Sequence, residues 1–584
     1  MSKKIIVLGG GVAGMSAAHE LVERGFEVEV YDKHRVYCGG KARSVNVPQS
    51  NKINPDKYLP GEHGFRFFPG FYKHIVDTMK RIPYNNQPLG VFDNLVEVDR
   101  VGIYRAGKKP IQAIVNFPKS LADIESVIAS LHADTGLTSE EKKFFASRLW
   151  QIMTSCYDRR LSEYEKIGWW EFMEADRFSD NYRALLVQGI TRTLVAANAK
   201  KASTRTDGDI LLQLLFNMTN PGVHTDRVLN GPSNEAWLHP WLNYLQSKGV
   251  KYTFNHSVKK LEINNGHITG AWVETFQGGV AQQTLVTGDY YVLAVPIEVA
   301  ATLMSDDILK ADASLQNIIQ LAPSVAWMNG IQFYLSDVIP ITHGHCLYAD
   351  SPWALTSISQ LQFWKDYDMN DRLNGQVKSL LSVDVSNWED DGILDFDIPD
   401  GSGGTKKGKK QARDCSYKEI KEEVWAQLKA SLNVDGAEVL KDEHLIDWYI
   451  DHDITASHQK EDKNKEPLLV NTVNSWALRP EVVTKIPNLL LASDYVRTYT
   501  DLATMEGANE AARRAVNAII DAEHLTIEKC QLWNLHEPDI LKGLRNRDQK
   551  RYNQGLPYQF HLPFLLRLIE KIMKFFKSIF GKNK

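Results

Sequence analysis

The sequence has few cysteines, no long hydrophobic run and no positive net charge, and each absence excludes a class of protein. Its five cysteines among 584 residues are widely spaced and form no C-x-x-C pair, so neither a disulfide framework nor a metal site is expected. No stretch of ~18 apolar residues predicts a transmembrane helix. The net charge of −4 is not typical of a nucleic-acid binder. We therefore expect a cytoplasmic protein without a nucleic-acid partner.

Near its start the chain carries three glycines, Gly9, Gly11 and Gly14, in the spacing G-x-G-x-x-G. They follow a short apolar run, residues 5–8, that is typical of a buried parallel strand. Gly9 permits a tight turn, Gly11 lets backbone N–H groups approach a pyrophosphate, and Gly14 lets the next helix pack against the strand. The pattern favours a dinucleotide-binding turn over a glycine-rich turn without a ligand.

The residues after this turn complete a βαβ unit. Ala13 begins a predicted helix, and the N–H groups and positive dipole at its start suit a pyrophosphate. Residues 26–31 alternate apolar and acidic side chains and predict a second strand. Asp32 at its end can accept hydrogen bonds from a ribose, and we assign Lys33 beside it to the same site. The unit predicts an α/β fold of Rossmann type.

A second glycine motif, Gly39-Gly40-Lys41-Ala42, follows Asp32 within eight residues. Here the sequence resembles the flavoproteins that include flavin amine oxidases and phytoene-type desaturases, in which such a loop runs along the FAD phosphates. The resemblance implies FAD as the cofactor, with Gly40 and Lys41 beside its phosphates. No cysteine lies between residues 416 and 529, where a covalent link would be expected, so the flavin is predicted to be non-covalent.

Three later segments carry the same resemblance. Residues 288–300 resemble the strand that leads into the Ala-x-Pro turn of these flavoproteins. Residues 249–273 resemble their adenine-side hairpin, in which the backbone of Val258 would face the adenine. Residues 487–519 resemble their C-terminal flavin segment. The matches concern the cofactor half of the chain only.

In the C-terminal segment the resemblance assigns specific contacts. Asp494 would bond the ribityl chain, and Met505 and Glu506 would start a helix whose N–H groups face the pyrimidine side of the flavin. The sequence departs from the usual Gly-Asp at one position, since Ser493 precedes Asp494. Serine is small, so a modest backbone shift could absorb the change.

The three matching pieces are far apart, which implies a cofactor fold with insertions. We predict a Rossmann-type FAD-binding domain built from three segments, an inserted α+β substrate domain and a C-terminal amphipathic helix. The expected boundaries are FAD-binding 1–95, 228–300 and 466–523, substrate domain 96–227 (largely helical) and 301–465, linker 524–561 and amphipathic helix 562–584. Within the substrate domain, residues 399–414 are rich in Gly, Ser and Lys and predict a mobile loop.

The segment 61–75 is the candidate for catalysis, since the equivalent loop in the resembled family passes near the isoalloxazine. Glu62 and His63 could act as acid and base there. The alternative is that His63 and Arg66 only hydrogen-bond the loop or the phosphates. The two interpretations remain open at this stage.

Amine oxidation and hydrocarbon desaturation are the rival reactions. Amine oxidases of this group have a flavin-side lysine where this chain has Asn329, and only Trp476 and Tyr495 offer parts of an aromatic cage. Phytoene and carotenoid desaturases and hydroxysqualene dehydroxylases resemble the chain better. They imply hydride exchange with a long apolar, isoprenoid-like substrate. A tunnel could be lined by Met153, Trp169, Trp170, Phe172, Leu211, Leu214, Leu215 and Phe216, although an ordinary helical core is the competing interpretation.

The last 23 residues, 562–584, predict an amphipathic helix. Their polar side chains fall within one arc of ~120° and the aromatic and aliphatic ones fill the rest. Six basic residues against one acidic residue suit an anionic membrane surface, so peripheral membrane association is favoured over docking on protein. A non-catalytic flavoprotein recruited by this tail is the third hypothesis. The sequence does not indicate the oligomeric state. It contains no second dinucleotide motif, so direct use of NAD(P)H is not supported.

Overall fold

We describe the chain from a computed structural model. The structure describes residues 3–561, except residues 53, 55–56, 117–134, 190–198, 221, 366, 370–371, 452–453 and 456–462. The predicted amphipathic helix 562–584 therefore lies outside the described residues.

A five-stranded parallel sheet forms the first half of the fold. Its strands come from distant parts of the chain and lie in the order Leu489–Leu491, Tyr290–Leu293, Lys4–Leu8, Glu27–Tyr31 and Lys251–Thr253. The four apolar residues 5–8 are fully buried, because a central parallel strand is covered on both faces. Strands from the beginning, middle and end of the sequence thus share one sheet, and the predicted Rossmann-type α/β fold is confirmed.

Two long helices cover one face of this sheet. Val12–Glu23 follows the glycine turn, and Met505–Ala522 lies against it. Asn509 of the second helix donates a hydrogen bond to Ser16 Oγ of the first at 2.8 Å. Four alanines of the second helix are buried, and their small side chains let the two helices approach closely: Ala508, Ala511, Ala512 and Ala515. This packing fixes the start of both helices at the same edge of the sheet.

A seven-stranded sheet forms the second half. Its strand order is Leu445–Ile450, Asn329–Leu335, Ser379–Val385, Leu355–Ser359, Gly344–Tyr348, Arg100–Arg105 and Lys108–Ile114. Neighbours are antiparallel except for the parallel pair Gly344–Tyr348 and Arg100–Arg105. The helix Tyr417–Leu432 buries Val424 and Leu428 with the apolar side chains of this sheet.

The remaining elements are smaller. An antiparallel sheet is formed by Ser257–Asn264, His267–Gln277 and Val280–Val286, where the sequence predicted the adenine-side hairpin. The other α-helices of six or more residues in the described ranges are His74–Lys80, Ser139–Thr154, Tyr157–Ser162, Thr204–Met218, His239–Ser247, Ile297–Leu303, Asp306–Ala311, Gln316–Leu321 and Lys542–Asn553. A membrane-crossing helix is not found in the described part of the chain, where every helix is too short or too polar for the width of a bilayer.

Two segments differ from their predicted form. Residues 399–414 do not form a long loop: the strands Phe396–Pro399 and Thr405–Gly408 pair as a hairpin, and Lys407 bonds Asp397 across it at 2.9 Å. Residues 524–561 are not a bare linker either. They include the helix Lys542–Asn553, whose Asp548 is buried in an ion pair with Arg159. Both segments are held by ion pairs with residues outside their local sequence or across a hairpin, and composition alone does not reveal such pairs.

Asp207 on the helix Thr204–Met218 is buried, and neither carboxylate oxygen has a hydrogen-bond partner among the described residues. Burial raises its pKa from 3.8 to about 8. An acid with a higher pKa in the folded chain binds more protons when folded, so the free energy of unfolding falls as the pH rises between the two pKa values. We expect Asp207→Asn to remove a slope of about 1.4 kcal/mol per pH unit between pH ~5 and ~7.

Urea unfolding at several pH values measures this slope. The matched control is Asp435→Asn, an exposed aspartate that should leave the wild-type slope unchanged. An identical pH dependence in wild type and Asp207→Asn would show that Asp207 is not held neutral.

Candidate functional site

One cavity of about 870 Å³ is lined by residues of both large sheets. On one side lie the glycine turn and the C-terminal segment that contains Asp494. On the other side lie apolar side chains such as Ile103 and Leu347 from the seven-stranded sheet. The cavity therefore connects the predicted cofactor site directly to an apolar chamber.

Most of the predicted cofactor residues line this cavity. They are Gly9, Gly11, Ala13, Asp32, Lys33, Gly40, Lys41, Val258, Asp494 and Met505. Its described lining does not include Gly14 or Glu506. Residues separated by hundreds of positions are thus brought together at the edge of the parallel sheet, where open α/β folds bind their ligands.

The glycine turn is shaped to admit a ligand backbone. A Cβ atom at Gly11 would contact only the Gly40 Cα, at 3.9 Å, so the space above this residue is open. A Cβ atom at Gly14 would lie 1.8 Å from the Gly9 carbonyl oxygen, which explains why helix and strand approach so closely there. Gly9 has a φ of 110°, which favours glycine. The turn fits a pyrophosphate at the helix start.

Asp32 and Lys33 lie at the far end of the turn. The Asp32 carboxylate accepts hydrogen bonds from the Tyr252 hydroxyl at 2.7 Å and from the backbone N–H of His34 at 3.0 Å. Lys33 pairs with Glu466 at 3.0 Å, and Glu466 also accepts a hydrogen bond from Arg43. Burial raises the pKa of Glu466, but His34 and the cationic groups outweigh it and hold that pKa well below its ordinary value. No local motif marks Glu466 as part of this site, because it is remote from Lys33 in the chain.

The C-terminal segment contributes Asp494 and a helix start. The helix Met505–Ala522 begins as predicted, and Thr504 caps it by accepting the N–H of Gly507. The Glu506 side chain takes no part in the described cavity lining. Its carboxylate accepts backbone N–H bonds at the start of the helix His74–Lys80 and a 2.7 Å bond from His74 Nδ1. An anion at a helix N-terminus is favourable, so Glu506 joins two helices.

The loop with Glu62 and His63 reaches the cavity through other residues. Glu62 is buried behind the wall, where its carboxylate accepts the backbone N–H and the hydroxyl of Ser233, each at 2.9 Å. Burial raises its pKa to about 7. His63 Nδ1 pairs with Asp451 at 2.6 Å. Neither residue belongs to the described cavity lining, so the geometry gives both a positioning role and their catalytic role stays an untested prediction.

Phe65, Arg66 and Phe67 of the same loop do line the cavity. Arg66 donates hydrogen bonds to the carbonyls of Lys41 and Ala42, the former at 2.9 Å. This contact matches the alternative interpretation, in which Arg66 supports the phosphate loop.

A polar cluster that the sequence did not indicate lies in the cavity wall. It consists of Asp226, His345 and Asp384, which come from three separate parts of the chain. His345 Nε2 lies 2.8 Å from Asp226 Oδ2. Asp384 has one oxygen without a hydrogen-bond partner among the described residues. No local motif links the three residues, so only the folded chain reveals them.

Burial changes the acidity of this cluster. It raises the pKa of Asp384 to about 7, although the nearby Arg66 and His345 act in the opposite direction. Burial also raises the pKa of Asp226 against the effect of His345. A carboxyl group with a pKa near neutral can both donate and accept a proton at physiological pH. The cluster is therefore a candidate acid–base group of the cavity.

The proposed tunnel residues divide into three groups. Leu211, Leu214 and Leu215 line the main cavity, whereas Met153 and Phe216 line a second cavity. Trp169 and Phe172 are buried in a separate core with Trp170 packed beside them, as the competing interpretation held. The helix Thr204–Met218 lies between the two cavities. Its leucines line the main cavity, whereas its Phe216 lines the second one.

The features weighed for amine oxidation lie away from the main cavity. Asn329 is buried and accepts a hydrogen bond from Asn464 at 3.0 Å, while its neighbour Met328 lines the cavity. Trp476 packs under the guanidinium of Arg205, and Tyr495 is fully buried in the core. Neither Trp476 nor Tyr495, the two residues considered for an aromatic cage, belongs to the described lining of the main cavity.

Comparison with known sequences supports the sequence-based resemblance. The family described as an NAD(P)-binding Rossmann-like domain matches residues 7–82. Zeta-carotene desaturase of Synechocystis sp. is 24% identical over 318 residues, which cover 52% of this chain and 60% of the relative. The probable zeta-carotene desaturase of Synechococcus elongatus is 22% identical over 540 residues, which cover 89% of this chain and 99% of the relative. The chain spans only 12% of the length of the Arabidopsis thaliana zeta-carotene desaturase, at 37% identity.

Solved structures with a similar fold include two amine oxidases. Cyclohexylamine oxidase from Brevibacterium oxydans aligns with a TM-score of 0.56 at 13% identity, covering 90% of this chain and 100% of the other. A putrescine oxidase aligns with a TM-score of 0.57 at 12% identity, and the alignment covers 89% of this chain and 99% of the other. At this identity the likeness shows the fold alone. The chain thus carries an NAD(P)-binding Rossmann-like domain and is similar in sequence to zeta-carotene desaturases and in fold to amine oxidases.

Proposed function

We propose that the chain is an FAD-dependent oxidoreductase that exchanges a hydride between flavin and a long apolar, isoprenoid-like substrate. The observation that carries this proposal is the single cavity in which the dinucleotide turn, an apolar chamber and a buried carboxyl–histidine cluster meet. FAD, when bound, supplies the redox chemistry. The relatedness to zeta-carotene desaturases supports an apolar substrate.

The chain's own residues bind and position the reactants. The Gly9–Ala13 backbone and the loop around Gly40 would hold the diphosphate, and Asp494 would hold the ribityl chain. Ile103, Leu214 and the other apolar side chains exclude water from the chamber and orient a hydrocarbon. Asp384 lies in the same wall and would hold or release the proton that the reaction exchanges.

Flavin reduction by candidate substrates tests the proposal. The FAD-loaded protein is mixed without oxygen with a long isoprenoid polyene in detergent micelles and, separately, with a bulky amine such as cyclohexylamine. Loss of the visible flavin absorbance with the polyene, or reoxidation of photoreduced flavin by it, is the expected result. Reduction by the amine alone would establish amine oxidation instead, and a flavin that exchanges electrons with nothing would indicate a non-catalytic flavoprotein.

We also propose that the protein associates with the membrane surface through residues 562–584. The basic, aromatic composition of this segment supports the proposal. Apolar side chains are also exposed shortly before it: Ile540 is 85% exposed, and Phe560 is exposed as well. A hydrocarbon substrate dissolves in the bilayer, so a membrane-bound position would bring enzyme and substrate together.

Removal of residues 562–584 should abolish most binding to vesicles of phosphatidylcholine and phosphatidylglycerol. We expect at least a tenfold lower partition coefficient in a sedimentation assay, because each basic side chain contributes ~1 kcal/mol at an anionic surface. FAD content should stay unchanged, since these residues follow the last cofactor segment. Equal vesicle binding by both forms would contradict the proposal.

A further inference from the structure

A second cavity of about 780 Å³ lies apart from the cofactor site and is lined by five arginines. They are Arg160, Arg205, Arg497, Arg514 and Arg545. Three carboxylates, Asp209, Glu481 and Glu537, share the wall. Arginine keeps its charge throughout the accessible pH range. Such a concentration of guanidinium groups in one cavity is typical of recognition of an anion.

The carboxylates hold the arginines in place. Arg160 bonds Asp209 at 2.7 Å and also Glu537, and Arg497 bonds Glu481 at 3.0 Å. Behind the wall, Asp501 and Glu510 do the same for Arg205 and Arg514. Each arginine has five N–H groups, so one or two carboxylate partners do not use all of them, and the remaining N–H groups can bind a ligand. The pairs therefore preorganise the guanidinium groups and do not use all their donors.

Donors without a protein acceptor remain around this cavity. Among the described residues, the Nε atoms of Arg160, Arg205 and Arg497 are buried and have no hydrogen-bond partner, and neither has the hydroxyl of the buried Thr498. Groups of this kind are rare in folded proteins, because each costs about 1–3 kcal/mol when left unpaired. An acceptor-only ligand would offset part of this cost after small side-chain adjustments.

Aromatic and apolar side chains line other parts of the wall, beside polar ones such as Gln213 and Asn534. The Arg205 guanidinium stacks over Trp476 at 4.1 Å, and that of Arg514 stacks over Tyr499 at 4.4 Å. Leu212 and Phe216 cover another part. The volume exceeds the needs of a lone inorganic anion, so the cavity suits an anionic group attached to an apolar body.

We propose that this second cavity binds a phosphate group, carried by an amphiphile. Arg545, Asn546 and Gln549 of the helix Lys542–Asn553 form one wall, and this helix precedes the proposed membrane-binding segment. The described chain after this helix stays near the cavity, since Tyr558 bonds Thr154, the neighbour of Met153 in the cavity wall, at 2.8 Å. A lipid headgroup and a free phosphate offer the same chemistry to the arginines, and the experiment separates them.

A ligand in the second cavity would contact the wall of the first. On the helix Thr204–Met218, Arg205, Asp209 and Phe216 face the second cavity, while Leu211 and Leu214 face the main one. Arg205 also bonds Asp501, and the next residues, 502–505, line the main cavity. Binding of the phosphate group is thus placed to influence the substrate chamber, although the binding itself requires no oxidoreductase activity.

Calorimetric titration of the full-length, FAD-loaded protein tests the site. Short-chain phosphatidic acid, below its micellar concentration, should bind saturably, and the double variant Arg514→Gln/Arg545→Gln should bind it at least tenfold more weakly. Arg497→Gln is a second variant, in case the double variant is unstable. The matched control is Arg547→Gln, since Arg547 lies on the same helix as Arg545 but outside the described cavity wall and should leave the affinity unchanged.

A parallel titration with inorganic phosphate identifies the source of the group. Weaker binding of phosphate than of phosphatidic acid supports the amphiphile, whereas equal affinities that both fall in the variants support a site for the free anion. Absence of saturable binding, or equal affinities of wild type and both cavity variants, would overturn the proposal. The flavin reduction experiment is independent of these outcomes, so the two proposals can fail separately.

Discussion

Gly11→Val should yield a folded protein that no longer retains FAD. A Cβ atom at Gly11 meets nothing closer than the Gly40 Cα at 3.9 Å, and the backbone there has φ −72° and ψ −173°, which valine adopts readily. The added methyl groups would occupy the space above the turn that a pyrophosphate needs. Two backbone hydrogen bonds to a charged diphosphate together contribute about 3 kcal/mol. Losing them would weaken the affinity for FAD at least 100-fold, since about 1.4 kcal/mol corresponds to a factor of ten.

Gly168→Val is the matched control for this variant. Gly168 also precedes a helix in an extended conformation, with φ −67° and ψ 145°, and a Cβ atom there would have no neighbour closer than 3.8 Å. It lies outside the described cavity lining. Fluorescence titration of FAD into both apoproteins, with thermal unfolding as a check on folding, makes the comparison. If Gly11→Val bound FAD with wild-type affinity, the assignment of the pyrophosphate to this turn would be contradicted.

Asp384→Asn should retain FAD and lose most of its turnover. The buried carboxyl group has a pKa of about 7 and lies in the cavity wall beside Arg66 and His345. An amide cannot exchange the proton, so kcat should fall about 10²–10⁴-fold, the usual contribution of a general acid or base. The wild-type pH profile should show an inflection near pH 7 that the variant lacks. Steady-state kinetics with the substrate identified by flavin reduction measures both effects.

Ser386→Ala provides the control for Asp384→Asn. Ser386 lines the same cavity and follows the same strand, Ser379–Val385, but carries no carboxyl group. Its removal should change kcat by less than about tenfold. If Asp384→Asn kept its turnover and its inflection near pH 7, the acid–base role would pass to another group, with Asp226 as the next residue to test.

The cofactor half of the protein was predictable from the sequence because its signals are local. The turn at Gly9–Gly14 needs glycine for steric reasons that hold in any context, and the loop at Gly40 and the helix start at Met505 are recognisable as short segments. The partners of the Glu506 side chain were not predictable, because a side chain at a helix start can turn to a second helix. Only the packing of the helix His74–Lys80 decides this.

The chemistry in the cavity wall was not predictable in the same way. Asp226, His345 and Asp384 come together through the pairing of distant strands, and nothing near any of them in the sequence marks a site. Glu62 and His63 were singled out because they are polar residues in a suggestive loop, yet the pairing of Ser44–Asn46 with Pro60–Glu62 directs Glu62 toward Ser233. Burial, which shifts the pKa values, is likewise a property of the folded chain.

The FAD content of the purified full-length protein is the most direct test of the whole account. After gentle purification, or after incubation with FAD and removal of the excess, the protein should be yellow and release close to one equivalent of unmodified FAD on acid denaturation, since no covalent link is expected. A colourless protein that folds normally but takes up no FAD would contradict the assignment of the cavity, and the proposed hydride exchange would have no basis.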